Sequence, residues 1–146
     1  MLHNHKGFTM PEILIVLCFL TMSLAIVLPN QHLTYSGLSE KRVIDQFTDN
    51  MHYIQQLSVQ KGIVHTVYID TSNNFYQMYK DWNSSILMTE EFPPDWEIEL
   101  TSLKPYTSFN RNGTVNNPGT MWIHTNQKTY KIIFPFGRNG VVVHQQ

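Results

Sequence analysis

One carboxylate in this chain stands where a carboxylate is costly. Glu12 closes the segment Lys6-Gly7-Phe8-Thr9-Met10-Pro11-Glu12 and is the sole charge between Phe8 and Leu28. An ionisable side chain in hydrocarbon costs about 3 kcal/mol on the gentlest insertion scale, so it demands a partner, and the chemistry it points to is ion pairing with a protein amine. The other groups able to do chemistry are arranged less tellingly. His3, His5, His32, His52, His65, His124 and His144 lack the i, i+4 or CxxC-type spacing of a metal site. Glu90, Glu91, Asp95, Glu97 and Glu99 form an acidic cluster, and Glu97 with Glu99 would share one strand face, a spacing compatible with general acid–base work. No nucleophile, glycine cradle or cofactor motif accompanies them. A solvated face is the better reading; the chain is expected to be no enzyme, with no cofactor and no metal.

The run that carries Glu12 is long enough to matter. Residues 8–28 span about 30 Å as a helix, at about 1.5 Å per residue, which is the thickness of a bilayer's hydrocarbon core. A removable secretory signal fits poorly, because Ser23-Leu24-Ala25 is followed by Ile26-Val27-Leu28, which continues the apolar core. A lipoprotein signal at Cys18 fits worse, with bulky Leu17 before it and more apolar chain after. A plain anchor remains, opened by a capping box in which Thr9 caps, Glu12 reaches back to the Thr9 amide, and Phe8 packs on Ile13 as a hydrophobic staple. That reading coexists with a functional one.

The whole heptapeptide separates the two. Gly7-Phe8-Thr9-Met10-Pro11-Glu12 resembles the processing site of type IV prepilins and pseudopilins, in which a short basic leader ends in Gly and Phe-Thr-Leu-x-Glu opens the mature helix. The resemblance implies that a prepilin peptidase cuts between Gly7 and Phe8 on the cytoplasmic side and methylates the new amine of Phe8. It implies that Glu12 is the assembly contact, paired in a filament with the Phe8 amine of a neighbouring subunit, and that Pro29 permits local helix loosening. The partners so implied are the peptidase, other major and minor pilins, the pilus assembly platform membrane protein, and the membrane before assembly. The expected location is the cell membrane, single-pass with the amino terminus cytoplasmic, then the cell surface in a pilus. Gly at the cut makes physical sense, since a residue without Cβ lets the backbone approach a catalytic site closely. Met10 replaces the commoner Leu at similar volume, and Pro11 in a first helical turn loses no needed N–H.

Lys and Arg number 10 against 11 for Asp and Glu; loss of Lys6 with the leader gives 9 − 11 = −2, a balance that names no partner. The single cysteine, Cys18, rules out an internal disulfide, so the globular part must be held by its core. After the polar stretch that ends at Ser39, Ile44, Phe47, Met51, Ile54 and Leu57 recur at three- and four-residue steps with Asp45, Asp49, Asn50 and Gln56 opposite, and Lys61-Gly62 marks a helix stop. From Ile63 the texture is β. Strands are expected at 63–70, 75–80, 86–89, 96–101, 106–109, 120–125, 129–134 and 141–144, separated by Thr71-Ser72-Asn73-Asn74, Pro93-Pro94, Asn112-Gly113, Asn117-Pro118-Gly119 and Asn139-Gly140. The fold class is then α+β: a long amino-terminal helix, one half for the membrane and one amphipathic, packed on an antiparallel sheet or two small sheets. The segments are a leader at 1–7, a pilus-core helix at 8–28, its continuation at 29–62 and a β domain at 63–146.

Phe109-Asn110-Arg111-Asn112-Gly113, Gly119-Thr120-Met121-Trp122-Ile123 and Tyr130-Lys131-Ile132-Ile133 with Gly137-Arg138-Asn139-Gly140-Val141 resemble the minor pilins of the secretion-pseudopilin H type, and among them the ComGD family of the Gram-positive competence pilus. That resemblance implies a minor pilin supporting DNA uptake in natural transformation, with a minor pseudopilin of a type II-like secretion system, or a membrane-anchored extracellular binding domain, as alternatives. After Glu99 there is no further Asp or Glu, while Lys104, Arg111, Lys128, Lys131 and Arg138 interleave with Tyr106, Phe109, Trp122, Tyr130, Phe134 and Phe136. Two readings stay open: direct DNA contact through cations and aromatic platforms, or aromatics in the core with cations facing acidic neighbours. The cleavage expectation is checked by mass spectrometry of protein from its host: the mature chain begins at methylated Phe8 with 146 − 7 = 139 residues, and a chain beginning at Met1 contradicts it.

Overall fold

A computed structural model describes residues 10–27, 31–81, 85–137 and 140–146. Gly7, Phe8, Thr9 and Pro29 lie outside the described residues. Packing divides the chain into two units, Met1–Ser39 and Glu40–Gln146. The first contains helix α1, Met10–Val27. It is apolar on every side: Ile13, Leu14, Ile15, Val16, Leu17, Phe19, Leu20 and Met22 are all exposed. Its hydroxyls are satisfied within the helix, Thr21 Oγ1 donating to Cys18 O at 2.9 Å and Ser23 Oγ to Phe19 O at 2.8 Å. Among the described residues no helix is long and apolar enough to cross a membrane; the expected span, 8–28, runs past both ends of α1.

Helix α2, Gln31–Lys61, is helical from its polar beginning and stops where expected. Gly62 takes φ 65°, and its N–H donates to Ser58 O at 3.0 Å, the left-handed termination that glycine adopts without strain. The reversal uses Ile63 and Val64, so the first strand begins at His65 rather than at 63. Among the described residues there are eight strands: β1 His65–Asp70, β2 Phe75–Tyr79, β3 Ile86–Glu91, β4 Glu97–Leu100, β5 Tyr106–Phe109, β6 Gly119–His124, β7 Thr129–Phe134 and β8 Val142–Gln145. They form two four-stranded antiparallel sheets, ordered β3-β2-β1-β5 and β4-β6-β7-β8.

Local chemistry sets the turns. In the β1–β2 hairpin Asp70 accepts the amides of Ser72 (2.9 Å) and Asn73 (3.0 Å) and the Asn73 side chain (3.0 Å), while Asn74 takes φ 52°. These bonds, the Asn73 side chain first, hold the Asp70 carboxyl below its ordinary value. At β6 the amides of Thr101, Ser102 and Leu103 all converge on Thr120 O at 3.1–3.2 Å. A Cβ on Gly119 would stand 2.5 Å from the Leu103 backbone, so only glycine fits under that loop.

One core joins α2 to both sheets. Ile44, Phe47, Met51 and Ile54 are at most 2 % exposed and cluster with Val67, Ile69, Tyr76 and Met78 of one sheet and Met121, Ile123, Ile132 and Phe134 of the other. Leu57, expected in the stripe, is only partly buried. Phe47 meets Tyr76 edge-on at 5.0 Å and Phe92 at 5.4 Å. Asn50 corrects the sequence reading: placed there on the polar side, it is half-buried and donates to Tyr76 Oη at 2.9 Å. Burial pushes the Tyr76 phenol up to about 12, so it stays protonated.

His65 is fully buried, its Nδ1 2.9 Å from Ser58 Oγ, which donates its only proton to Ile54 O at 2.8 Å. The Ile63 backbone is a second hydrogen-bond partner of the His65 ring. Desolvation lowers its pKa from 6.5. The folded state thus keeps it neutral while the unfolded chain takes up a proton. Its contribution to stability is complete above about pH 6.5 and is lost as pH falls through the folded value. Thermal unfolding from pH 7.5 to 5 is expected to show this decline, and His65→Gln to reduce it; identical pH profiles would count against it. Phe47→Ala is expected to cost about 3–5 kcal/mol by denaturant titration, the cost of a large core cavity.

Candidate functional site

The sequence-expected site residues divide by location. Glu12 sits in the first turn of α1 with its side chain exposed, where a helix N-terminus favours a carboxylate. It is surrounded along the helix by exposed Met10, Ile13 and Ile15. The Thr9 cap and the Gly7–Phe8 bond lie outside the described residues.

The acidic cluster is not one cluster. Glu90 and Glu91 end β3 in the first sheet, whereas Glu97 and Glu99 belong to β4 in the second. The separation arises between Phe92, buried against Phe47, and Trp96, also buried, which carry the Pro93-Pro94 loop from one sheet to the other. Glu97 and Glu99 do share one outward face, as the period of two requires.

That outward face of β4-β6-β7-β8 carries two cross-strand rows. Glu99, Trp122, Lys131 and His144 are in register, as are Glu97, His124 and Thr129. Met121 and Ile123, the neighbours of Trp122 along β6, point into the core. Lys131 Nζ lies 5.4 Å from the Trp122 ring centroid, a cation–π contact. The Trp122 and His124 rings are 6.5 Å apart and 12° from parallel. His124 Nδ1 is 3.2 Å from Thr129 Oγ1, and Nε2 is 3.8 Å from Glu99 Oε2. A shallow cavity of about 390 Å³ is lined by Glu99, Trp122, His124, Thr129 and Gln146. No local pattern of residues signals this grouping, because its members come from three strands and the carboxyl end.

The basic, aromatic terminal third is divided as well. Phe109, Tyr130 and Phe134 are core residues, while Trp122 is half-buried and Tyr106 and Phe136 are exposed. Tyr106 stacks on Tyr68 at 4.5 Å on the outward face of the first sheet. Arg111 lines a different cavity, about 580 Å³, beside His52, Gln56 and Gln60 of α2. Lys131 stands in a row with Glu99. The cations and surface aromatics are thus spread over more than one face, with Lys131 and Trp122 together on one of them. Among the described residues no group of three or more His, Cys, Asp or Glu could hold a metal ion.

No protein-family model and no curated protein matches the chain. Solved structures do. The type IV minor pilin FimU of Pseudomonas aeruginosa superposes with a TM-score of 0.62, covering 75% of this chain and 92% of that one at 12% identity. The minor pseudopilin EpsH from the type 2 secretion system of Vibrio cholerae superposes with a TM-score of 0.53, covering 73% and 94% at 15% identity. Identities this low speak to fold alone. The α+β architecture of this chain, an amino-terminal helix followed by antiparallel sheets, is similar to that of minor pilins and minor pseudopilins.

Proposed function

We propose that this chain is a minor pilin of a competence type IV pilus, supporting pilus assembly for the uptake of extracellular DNA in natural transformation. The observation that carries the reading is an exposed helix, apolar on every side, with one carboxylate in its first turn, in a chain whose fold is like that of minor pilins. A helix apolar all round is stable in a membrane or in the centre of a helical bundle. The subunit first sits in the cell membrane with its amino terminus in the cytoplasm. The prepilin peptidase cleaves between Gly7 and Phe8 and methylates Phe8, and the assembly platform moves the subunit among other major and minor pilins to the cell surface. Pro29 loosens the helix during that transfer.

Glu12 provides the register. In the bundle it pairs with the Phe8 amine of an adjacent subunit; desolvation offsets much of the attraction, but an unpaired carboxylate there costs several kcal/mol, so misplaced subunits are rejected. The fold likeness to EpsH favours a second reading, a minor pseudopilin of a type II-like secretion system, in which Glu12 does the same work. A membrane-anchored extracellular binding domain that never enters a filament is the third. Glu12→Ala is expected to leave the subunit in the membrane while its recovery in sheared filaments falls by about tenfold or more, as loss of several kcal/mol requires. Undiminished recovery contradicts the assignment. Deleting the chain is expected to abolish transformation and leave protein secretion intact; the reverse outcome selects the secretion reading.

A further inference from the structure

We infer that the outward face of the β4-β6-β7-β8 sheet is a saccharide-binding site, built on Trp122 and Glu99. The inference starts from a side chain that serves no core. Trp122 alternates with fully buried Met121 and Ile123, so its indole stands on the solvent side of β6. Lys131 from β7 steadies it from the neighbouring strand, and His124 lies nearly parallel to it two residues along. The cavity beside it, about 390 Å³, falls within the size range of small-molecule sites.

The lining chemistry narrows the ligand class. Phosphates and other anions are disfavoured, because Glu99 lines the cavity and Glu97 lies opposite His124 in register. A metal ion would find one carboxylate where it needs several ligands. A purely apolar ligand would bury Glu99, Thr129 and Gln146 against groups unable to hydrogen-bond, at a cost for each. A neutral sugar satisfies the whole set. The axial C–H face of a pyranose is apolar and lies flat on an indole. Its hydroxyls donate to the two oxygens of Glu99, and both donate to and accept from Gln146 and Thr129. His124 lies beside both partners, its Nε2 3.8 Å from Glu99 Oε2 and its Nδ1 3.2 Å from Thr129 Oγ1. The cavity is shallow, so affinity for one sugar is in the millimolar range.

The site does not depend on whether the subunit enters a filament, so its test is separate from that of Glu12. The full chain is placed in lipid nanodiscs, since glycoside detergents would compete, and its indole N–H resonances are followed by nuclear magnetic resonance. The probes are cellotetraose, maltotetraose and triacetylchitotriose, with a single-stranded oligothymidylate for comparison. At least one oligosaccharide is expected to shift the Trp122 resonance saturably, with millimolar affinity little changed by salt. Trp122→Ala and Glu99→Ala are each expected to weaken binding by about tenfold or more, and Trp122→Tyr by much less. Glu99 is largely exposed, so its variant tests the site even where the tryptophan variant fails to fold. The inference is overturned if no sugar moves Trp122 up to about 20 mM, well above the affinity expected of a shallow site. It is equally overturned if binding survives Glu99→Ala unchanged, or if only the oligothymidylate binds there with the steep salt dependence of phosphate contacts.

Discussion

The globular part of this protein depends on a single apolar stripe shared by two sheets. Each four-stranded sheet has one apolar face, and Ile44, Phe47, Met51 and Ile54 on α2 supply the surface against which both are buried. Burial by itself does not fix how a helix is rotated or how far it slides, because hydrophobic contact is non-directional. Four polar contacts along α2 supply the direction. Glu40 accepts from Thr125 beyond β6 at 2.9 Å, Asn50 donates to Tyr76 of β2, Gln55 donates to Gly113 O at 2.7 Å, and Ser58 meets His65 of β1. Each is worth about 0.5–1.5 kcal/mol when formed, somewhat more for Glu40, but leaving such a buried group unpaired costs more than that. A rotated or shifted helix would break several at once, so these bonds select the register that the apolar stripe only permits.

The same physics explains why the two ends of the chain behave differently. On α2 the polar residues facing the core have partners in the sheets and in the loops that join the strands. On α1 the hydroxyls of Thr21 and Ser23 fold back onto carbonyls of their own helix, which leaves the outer surface of that helix nearly free of polar demand. Such a surface is compatible with lipid or with other apolar helices, and Glu12 in its first turn is the one carboxylate it carries. The sheets present the opposite case. Their outward faces hold charges and half-buried rings in cross-strand rows, and it is there that a ligand or a neighbouring subunit would be recognised by geometry instead of by bulk burial.

Much of this was legible in the residues and some was not. All eight strands fall within two residues of the boundaries read from alternation and turn chemistry, the start of β1 and the far end of β3 differing most, because Asn, Gly and Pro act on the backbone locally. The misreadings share one cause. Helical phase puts Asn50 on the polar side, but phase alone does not say how wide the buried sector is, and two sheets make it wide enough to include Asn50. The acidic residues from Glu90 to Glu99 looked like one patch because they are close in sequence, yet buried Phe92 and Trp96 between them anchor a crossing from sheet to sheet. In the sequence Trp122 is one of several aromatics, since nothing within β6 reveals which residues of β4 and β7 will stand beside it.

By itself the sequence determined the identity and order of the elements and the placing of one carboxylate, Glu12, in an otherwise uncharged run, because both are set by residues near one another along the chain. Only the tertiary structure decided that β1 pairs with β5 and β4 with β6, that the strands divide into two sheets, and that Glu99, Trp122 and Lys131 form one row. The reason is that an alternating strand offers the same hydrogen-bonding edges to any partner. The choice among partners is made by how the inward side chains of distant strands fill the space around α2, a property of the packed core that no local window of residues contains.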